Sequence, residues 1–153
     1  MKISKNSKII CIQVGTSMEA AREMMENRRI RHLPVVNDRN EVIGMLSKHD
    51  LTDVPKFQEL PIELFASFPA QYVTLDTPIS TVALRMIEAK ISSLVLVDYA
   101  GEVVGIMTTD DLLYELSKLT REKEEHTVAG WTGAVANIGT ATEISRRLSD
   151  IGI

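Results

Sequence analysis

This chain has little cysteine, few aromatic residues and no long apolar run. Cys11 is the single cysteine among 153 residues, so no intrachain disulfide can staple the fold. It lies in the β-rich run Ile9–Val14, where it reads as a small buried hydrophobe. Aromatic residues make up 5%, and the one tryptophan, Trp131 between Gly130 and Gly133, reads as a packing anchor rather than a ligand platform. No apolar run approaches the roughly 20 residues that span a bilayer. Basic excess is missing too. Seventeen Lys and Arg against 21 Asp and Glu give a net charge of −4, which argues against a general nucleic-acid surface. A local basic patch can still hold one phosphate group. Met1–Lys8 is polar and basic, with no signal-peptide core after it, so the expectation is an unprocessed, cytoplasmic protein with no membrane partner. His32, His49 and His126 show no metal-ligand spacing. No nucleophile–base motif appears, and catalysis is not expected.

What the chain does have is the same unit twice. Ile12–Leu51 lies over Val73–Leu112 without a gap, and ten of forty positions are identical, among them Met25/Met86, Gly44/Gly105, Asp50/Asp111 and Leu51/Leu112. A repeat in fixed register means two copies of one supersecondary unit packed together, here expected about an approximate two-fold axis. The composition, 44% hydrophobic and 25% charged, is that of an ordinary globular protein. A unit of about sixty residues buries only a small core, so each copy is expected to need the other.

The residues predict the order strand, helix, strand, strand, helix in each copy, an α/β (α+β) architecture. In the first, Ile9–Val14 is a strand stopped by Gly15. Ser17 caps a helix to about Arg28, with Met18, Ala21, Met24 and Met25 at helical spacing. His32–Val36 and Glu41–Leu46 are strands around a turn at Asn37–Asn40, and Ser47 opens a second helix. The second copy reads Tyr72–Leu75, Thr77–Lys90, Ser93–Val97, a turn at Asp98–Gly101, Glu102–Met107 and a helix from Thr108 to about Glu124. The unalternating run Leu94–Val97 suggests a strand covered on both faces. These patterns divide the chain into a first unit (1–54), a linker (55–68) with a short helix expected at Pro61–Phe68, a second unit (69–124) and an extension (125–153). In the extension, Thr140–Glu143 reads as a capping box before a helix with Ile144, Leu148 and Ile151 on one face.

Each copy carries glycine, two apolar residues, a hydroxyl, two variable residues, aspartate and leucine: Gly44-Met45-Leu46-Ser47-Lys48-His49-Asp50-Leu51 and Gly105-Ile106-Met107-Thr108-Thr109-Asp110-Asp111-Leu112. Two readings stand side by side. A hydroxyl and free N–H groups at a helix N-terminus favour an anion, and an aspartate three residues on can accept from a ribose diol; together they suggest a nucleotide. Equally, Ser47 and Thr108 are good N-caps, and Asp50 and Asp111 fall where a carboxylate stabilises a helix dipole without any ligand.

The paired blocks Arg31–Val36 with Gly44–Leu51, and Ser92–Val97 with Gly105–Leu112, resemble tandem CBS domains, the Bateman module, over about Ile9–Leu119. The resemblance implies a stand-alone prokaryotic-type, non-catalytic regulatory module. It implies two clefts that take AMP, ADP, ATP or S-adenosylmethionine as ligand rather than catalytic cofactor. Asp50 and Asp111 would hold ribose hydroxyls, and Ser47 and Thr108, with Lys48 and Thr109 beside them, would touch phosphate or ribose. Lys8–Ile10 and Pro69–Gln71, including Ala70 and Gln71, would flank the adenine. Arg31 and His32 would hold phosphate. The second copy has Ser92 and Ser93 at the places of Arg31 and His32, and Asp110 beside Asp111, so unequal sites are expected. A homodimer braced by the tail helix and an unknown regulated protein are the expected partners. The alternative is a dimerisation or scaffolding module with no physiological small-molecule ligand.

Overall fold

Hydrogen bonding organises the strands into two three-stranded sheets of the same design. The computed structural model describes residues 1–5, 7–52 and 54–121. Trp131, His126 and the expected tail helix lie outside the described residues. The chain divides into two compact units, Met1–Leu112 and Leu113–Ile153. The first holds both sheets; of the second, the final stretch of one helix is described.

In the first copy, β1 (Ile12–Gln13) runs parallel to β2 (His32–Val36), which pairs antiparallel with β3 (Val42–Ser47). Helix α1 (Met18–Arg28) connects β1 to β2. In the second copy β4 (Tyr72–Thr74), α3 (Ile79–Ala89), β5 (Ser93–Val97) and β6 (Val103–Thr108) repeat the pattern, and α4 (Thr109–Arg121) follows. Between the copies lie a single-turn 3-10 helix at Lys48–Leu51, a short α2 (Val54–Phe57) and a 3-10 turn at Ile62–Leu64.

Local chemistry explains the boundaries. The Ser17 hydroxyl accepts from the Ala20 N–H at 3.2 Å and starts α1. Helices α1 and α3 both end on a basic residue in the left-handed region, Arg29 and Lys90, each with φ near 53°. The hairpins close identically: Asn37 Oδ1 accepts from the N–H groups of Arg39 and Glu41, both at 3.0 Å, and Asp98 Oδ1 from Ala100 and Glu102, both at 2.9 Å. Gly101, at φ 76°, supplies the left-handed residue that Asn40 supplies in the first hairpin.

Three expectations are corrected. The strand expected at Ile9–Val14 is only Ile12–Gln13, because Ile9 and Cys11 pack into the core shared by the two copies. The helix expected from Ser47 is a 3-10 turn at Lys48–Leu51 and then α2; Pro55, in the first turn of α2, has no N–H to bond back to the Leu51 carbonyl, which disfavours one continuous helix. The helix expected over Pro61–Phe68 shrinks to Ile62–Leu64, because Ser67 and Met45 exchange backbone hydrogen bonds and Ala70 donates to the Ile43 carbonyl.

The core has three parts. Ile12, Met18, Ala21, Met25, Leu33, Val35, Leu46, Leu51 and Ile62 fill the first copy, and Val73, Val82, Met86 and Leu94 the second. Between them, Val36, Val42, Ala70, Val95, Val97 and Val103 form a shared core. The segment leading into each copy bonds to the other. Residues 67–70 pair with β3 of the first copy, while Ser4 donates to the Val103 carbonyl and the Ser7 hydroxyl to the Val104 carbonyl of the second. The half-buried Tyr72 hydroxyl donates to the Val42 carbonyl across the same boundary. Each copy therefore completes the other, and the segments entering β1 and β4 are drawn across the boundary between the copies.

Candidate functional site

The hydroxyl–aspartate motif folds on itself in both copies. One oxygen of Asp50, Oδ2, accepts from the Ser47 N–H at 2.7 Å and the Ser47 hydroxyl at 2.8 Å. Asp111 Oδ2 does the same with Thr108, at 2.7 and 2.6 Å, and the Asp111 N–H returns to the Thr108 hydroxyl at 3.3 Å. The capping role is therefore real. It occupies one carboxylate oxygen and leaves the second, with its own lone pairs, to accept from a diol. The N–H groups expected to meet an anion are largely spent: besides Ser47 and Thr108, Lys48 donates to the Arg31 carbonyl at 2.7 Å and Thr109 to the Ser92 carbonyl at 3.0 Å. A phosphate here would have to rely on side-chain cations.

A cleft of about 440 Å³ lies against Asp50. Ser47, His49 and Asp50 come from the end of β3 and its turn, Pro69, Ala70 and Gln71 from the segment before β4, and Lys90–Ser93 from the second copy. Five of the residues expected from the sequence, Ser47, Asp50, Pro69, Ala70 and Gln71, line this cleft, and the fold brings them together. Met45, His49, Ser67, Lys90 and Ile91 also line it, and the sequence gives no expectation of them as site residues. The repeat register held the signal: Lys90–Ser93 align with Arg29–His32, two of which were already candidates. Ala70 gives its N–H to Ile43, and the Gln71 carbonyl accepts from Val95, so an adenine edge would use the Ala70 carbonyl and the Gln71 N–H.

A second cavity, of about 430 Å³, adjoins it and is lined by Arg31, His32, Ser47, Lys48, His49, Thr52 and Ser92. It shares Ser47, His49 and Ser92 with the Asp50 cleft. Arg31 donates to Asp110 at 2.6 Å across the two copies, so the cation expected for phosphate already has a counter-ion. His32, buried at the start of β2, sits 2.7 Å from the Ser92 hydroxyl through Nε2. Burial lowers the His32 pKa and the Arg31 charge lowers it further, against the opposing pull of Asp110, Asp50 and Asp111. Lys8, Ile10, Thr108, Thr109 and Asp111 line neither cavity; Ile10 packs against the core of the first copy.

Together these features make a concave, mixed-polarity cleft with a carboxylate at its wall and backbone groups at its edge. The sequence matches the family model for the CBS domain twice, over residues 3–56 and 64–118, and the chain belongs to the CBS domain family as a tandem pair. Among solved structures it is similar to the CBS domain pair of protein MJ0100 in complex with 5'-methylthioadenosine and S-adenosyl-L-methionine, at 25% identity and TM-score 0.65, over 76% of this chain and 92% of that one. It is also similar to a conserved CBS domain protein, TA0289, of unknown function from Thermoplasma acidophilum, at 29% identity and TM-score 0.64, over 71% and 64% of the two chains. A homoserine O-acetyltransferase of Methanococcoides burtonii is 28% identical over 105 residues, which are 69% of this chain and 22% of that protein. The chain thus spans about a fifth of that enzyme's length. Among the described residues no helix is long and apolar enough to cross a membrane.

Proposed function

We propose that the chain is a non-catalytic regulatory module that binds an adenosyl ligand in the Asp50 cleft. One observation carries this reading: Ser47, Asp50, Ala70 and Gln71 meet Lys90–Ser93 of the other copy around one cleft of about 440 Å³, a size suited to a nucleoside. Asp50 would take the ribose hydroxyls, and the Ala70 and Gln71 backbone the adenine edge. The bound ligands of the MJ0100 pair support the class. Among the described residues Lys90 is the one Lys or Arg lining the cleft, against the Asp50 carboxylate, and Ser92 and Ser93 stand where the first copy has Arg31 and His32. That charge balance suits adenosine, AMP or S-adenosylmethionine better than ATP, whose phosphates would have to extend toward Lys48 and Arg31. The Asp111 side, with Lys8, Ile10, Thr108 and Thr109, is the weaker site, because Asp110 occupies Arg31 there.

A ligand touching both copies stabilises one relative arrangement, and that population shift is the signal passed on. The receiving surface is a second copy or a regulated protein; the exposed Leu113, Leu116 and Leu119 of α4 support a homodimer through last helices. Thermal melting with adenosine, AMP, ATP and S-adenosylmethionine tests the reading. A true ligand at a hundred times its Kd adds about 2.7 kcal/mol and raises Tm. No shift with any of the four leaves the scaffolding alternative.

A further inference from the structure

A cavity of about 560 Å³ at the C-terminal end of α1 shares no residue with the Asp50 cleft. Among the described residues four cations line it, Arg22, Arg29, Arg31 and Lys48, with Glu26 as the one carboxylate and Met25, Ile30 and Leu51 as apolar floor. Arg22 is engaged with Glu19 and Glu26, and Arg31 gives one N–H to Asp110. Arg29 and Lys48 have no side-chain partner among the described residues, and Arg31 keeps further donors. With Arg22 and Arg31 paired, Arg29 and Lys48 are the positive charges left without a counter-ion among the described residues, and an anion would supply one.

The helix dipole explains one basic residue here, not four. The second copy has Lys90 where the first has Arg29, but Ala83, Ser92 and Thr109 where the first has Arg22, Arg31 and Lys48. The cluster is therefore no requirement of the fold. Arg29 moreover holds a backbone conformation, φ 53°, in which glycine is the favoured residue.

We propose that this cavity is an anion site for a small phosphorylated compound, separate from the Asp50 cleft. Guanidinium forks match phosphate oxygens in pairs, and the apolar floor accepts a short carbon skeleton. Arg31 and Lys48 also line the neighbouring cavity of about 430 Å³, so an anion here draws on the Arg31–Asp110 pair that joins the two copies. Calorimetric titration of the full chain with inorganic pyrophosphate tests the site. Saturable binding is expected, weakened about tenfold or more by Arg29→Gly, which suits the turn while removing the guanidinium, and by Lys48→Ala. Asp50→Asn is expected to leave pyrophosphate affinity unchanged. Absence of saturable binding, binding indifferent to both cation variants, or equal loss in Asp50→Asn would each overturn the proposal.

Discussion

At the scale of single residues, His32 shows how a buried polar group ties stability to pH. Its neutral form is favoured in the folded chain, chiefly by burial, so its pKa lies below the ordinary 6.5. The unfolded chain then binds more protons below that value. The His32 contribution is fully present above about pH 6.5 and is lost as pH falls through 6.5 toward the lowered folded value. Replacing His32 with Gln keeps a partner for Ser92 and removes the titration. Urea midpoints at pH 8 and pH 5.5 should therefore lie closer together in His32→Gln than in the parent. An unchanged spread would show that His32 is not the titrating group. Cys11 takes no part in this range, since burial pushes its thiol up to about 11.

At the scale of elements, the two copies are alike in pattern and unlike in their packing. A Cβ at Gly44 would meet the Phe68 ring at 2.4 Å and the Ser67 carbonyl oxygen at 2.9 Å, because residues 67–70 lie along β3. At Gly105 the nearest atom would be Leu96 Cδ1, at 3.4 Å, an ordinary contact. Gly44→Ala should destabilise by roughly 1–3 kcal/mol through overpacking, and Gly105→Ala by less than about 1 kcal/mol. Chemical denaturation of the two variants checks this, and equal effects would contradict the register of the linker on β3. The shared glycine was visible in the sequence; the difference in role was not, because it depends on a segment 23 residues downstream folding back on one copy. The same limit explains other outcomes. Ser17, Asn37 and Asp98 act within a few residues, so their caps and turns were legible. The Arg31–Asp110 pair and the His32–Ser92 contact join residues 79 and 60 apart, and no local pattern announces them. Lys90 and Ile91 line the Asp50 cleft without a signal in the motif, because the motif is a pattern within one copy, whereas the cleft draws on both.

At the scale of the whole molecule, the duplication produces one compact unit, Met1–Leu112, by exchange: each copy's entering segment bonds to the other, over a shared valine-rich core. The Asp50 cleft exists only because both copies contribute, and any ligand filling it reports on their arrangement. In the proposed function Asp50 holds the ribose of that ligand with the oxygen its cap leaves free. Asp50→Asn tests it cleanly. The amide oxygen can still accept both Ser47 bonds, so the local turn survives while the charge is lost. Calorimetric titration with adenosine, parent against Asp50→Asn, is the most direct measurement. Saturable binding to the parent is expected, with a loss of about tenfold or more in the variant, in line with weakening one strong hydrogen bond, and with ligand-free Tm nearly unchanged. Adenosine binding equally to both, alongside a large fall in the variant's Tm, would show that Asp50 is a cap alone and would contradict it.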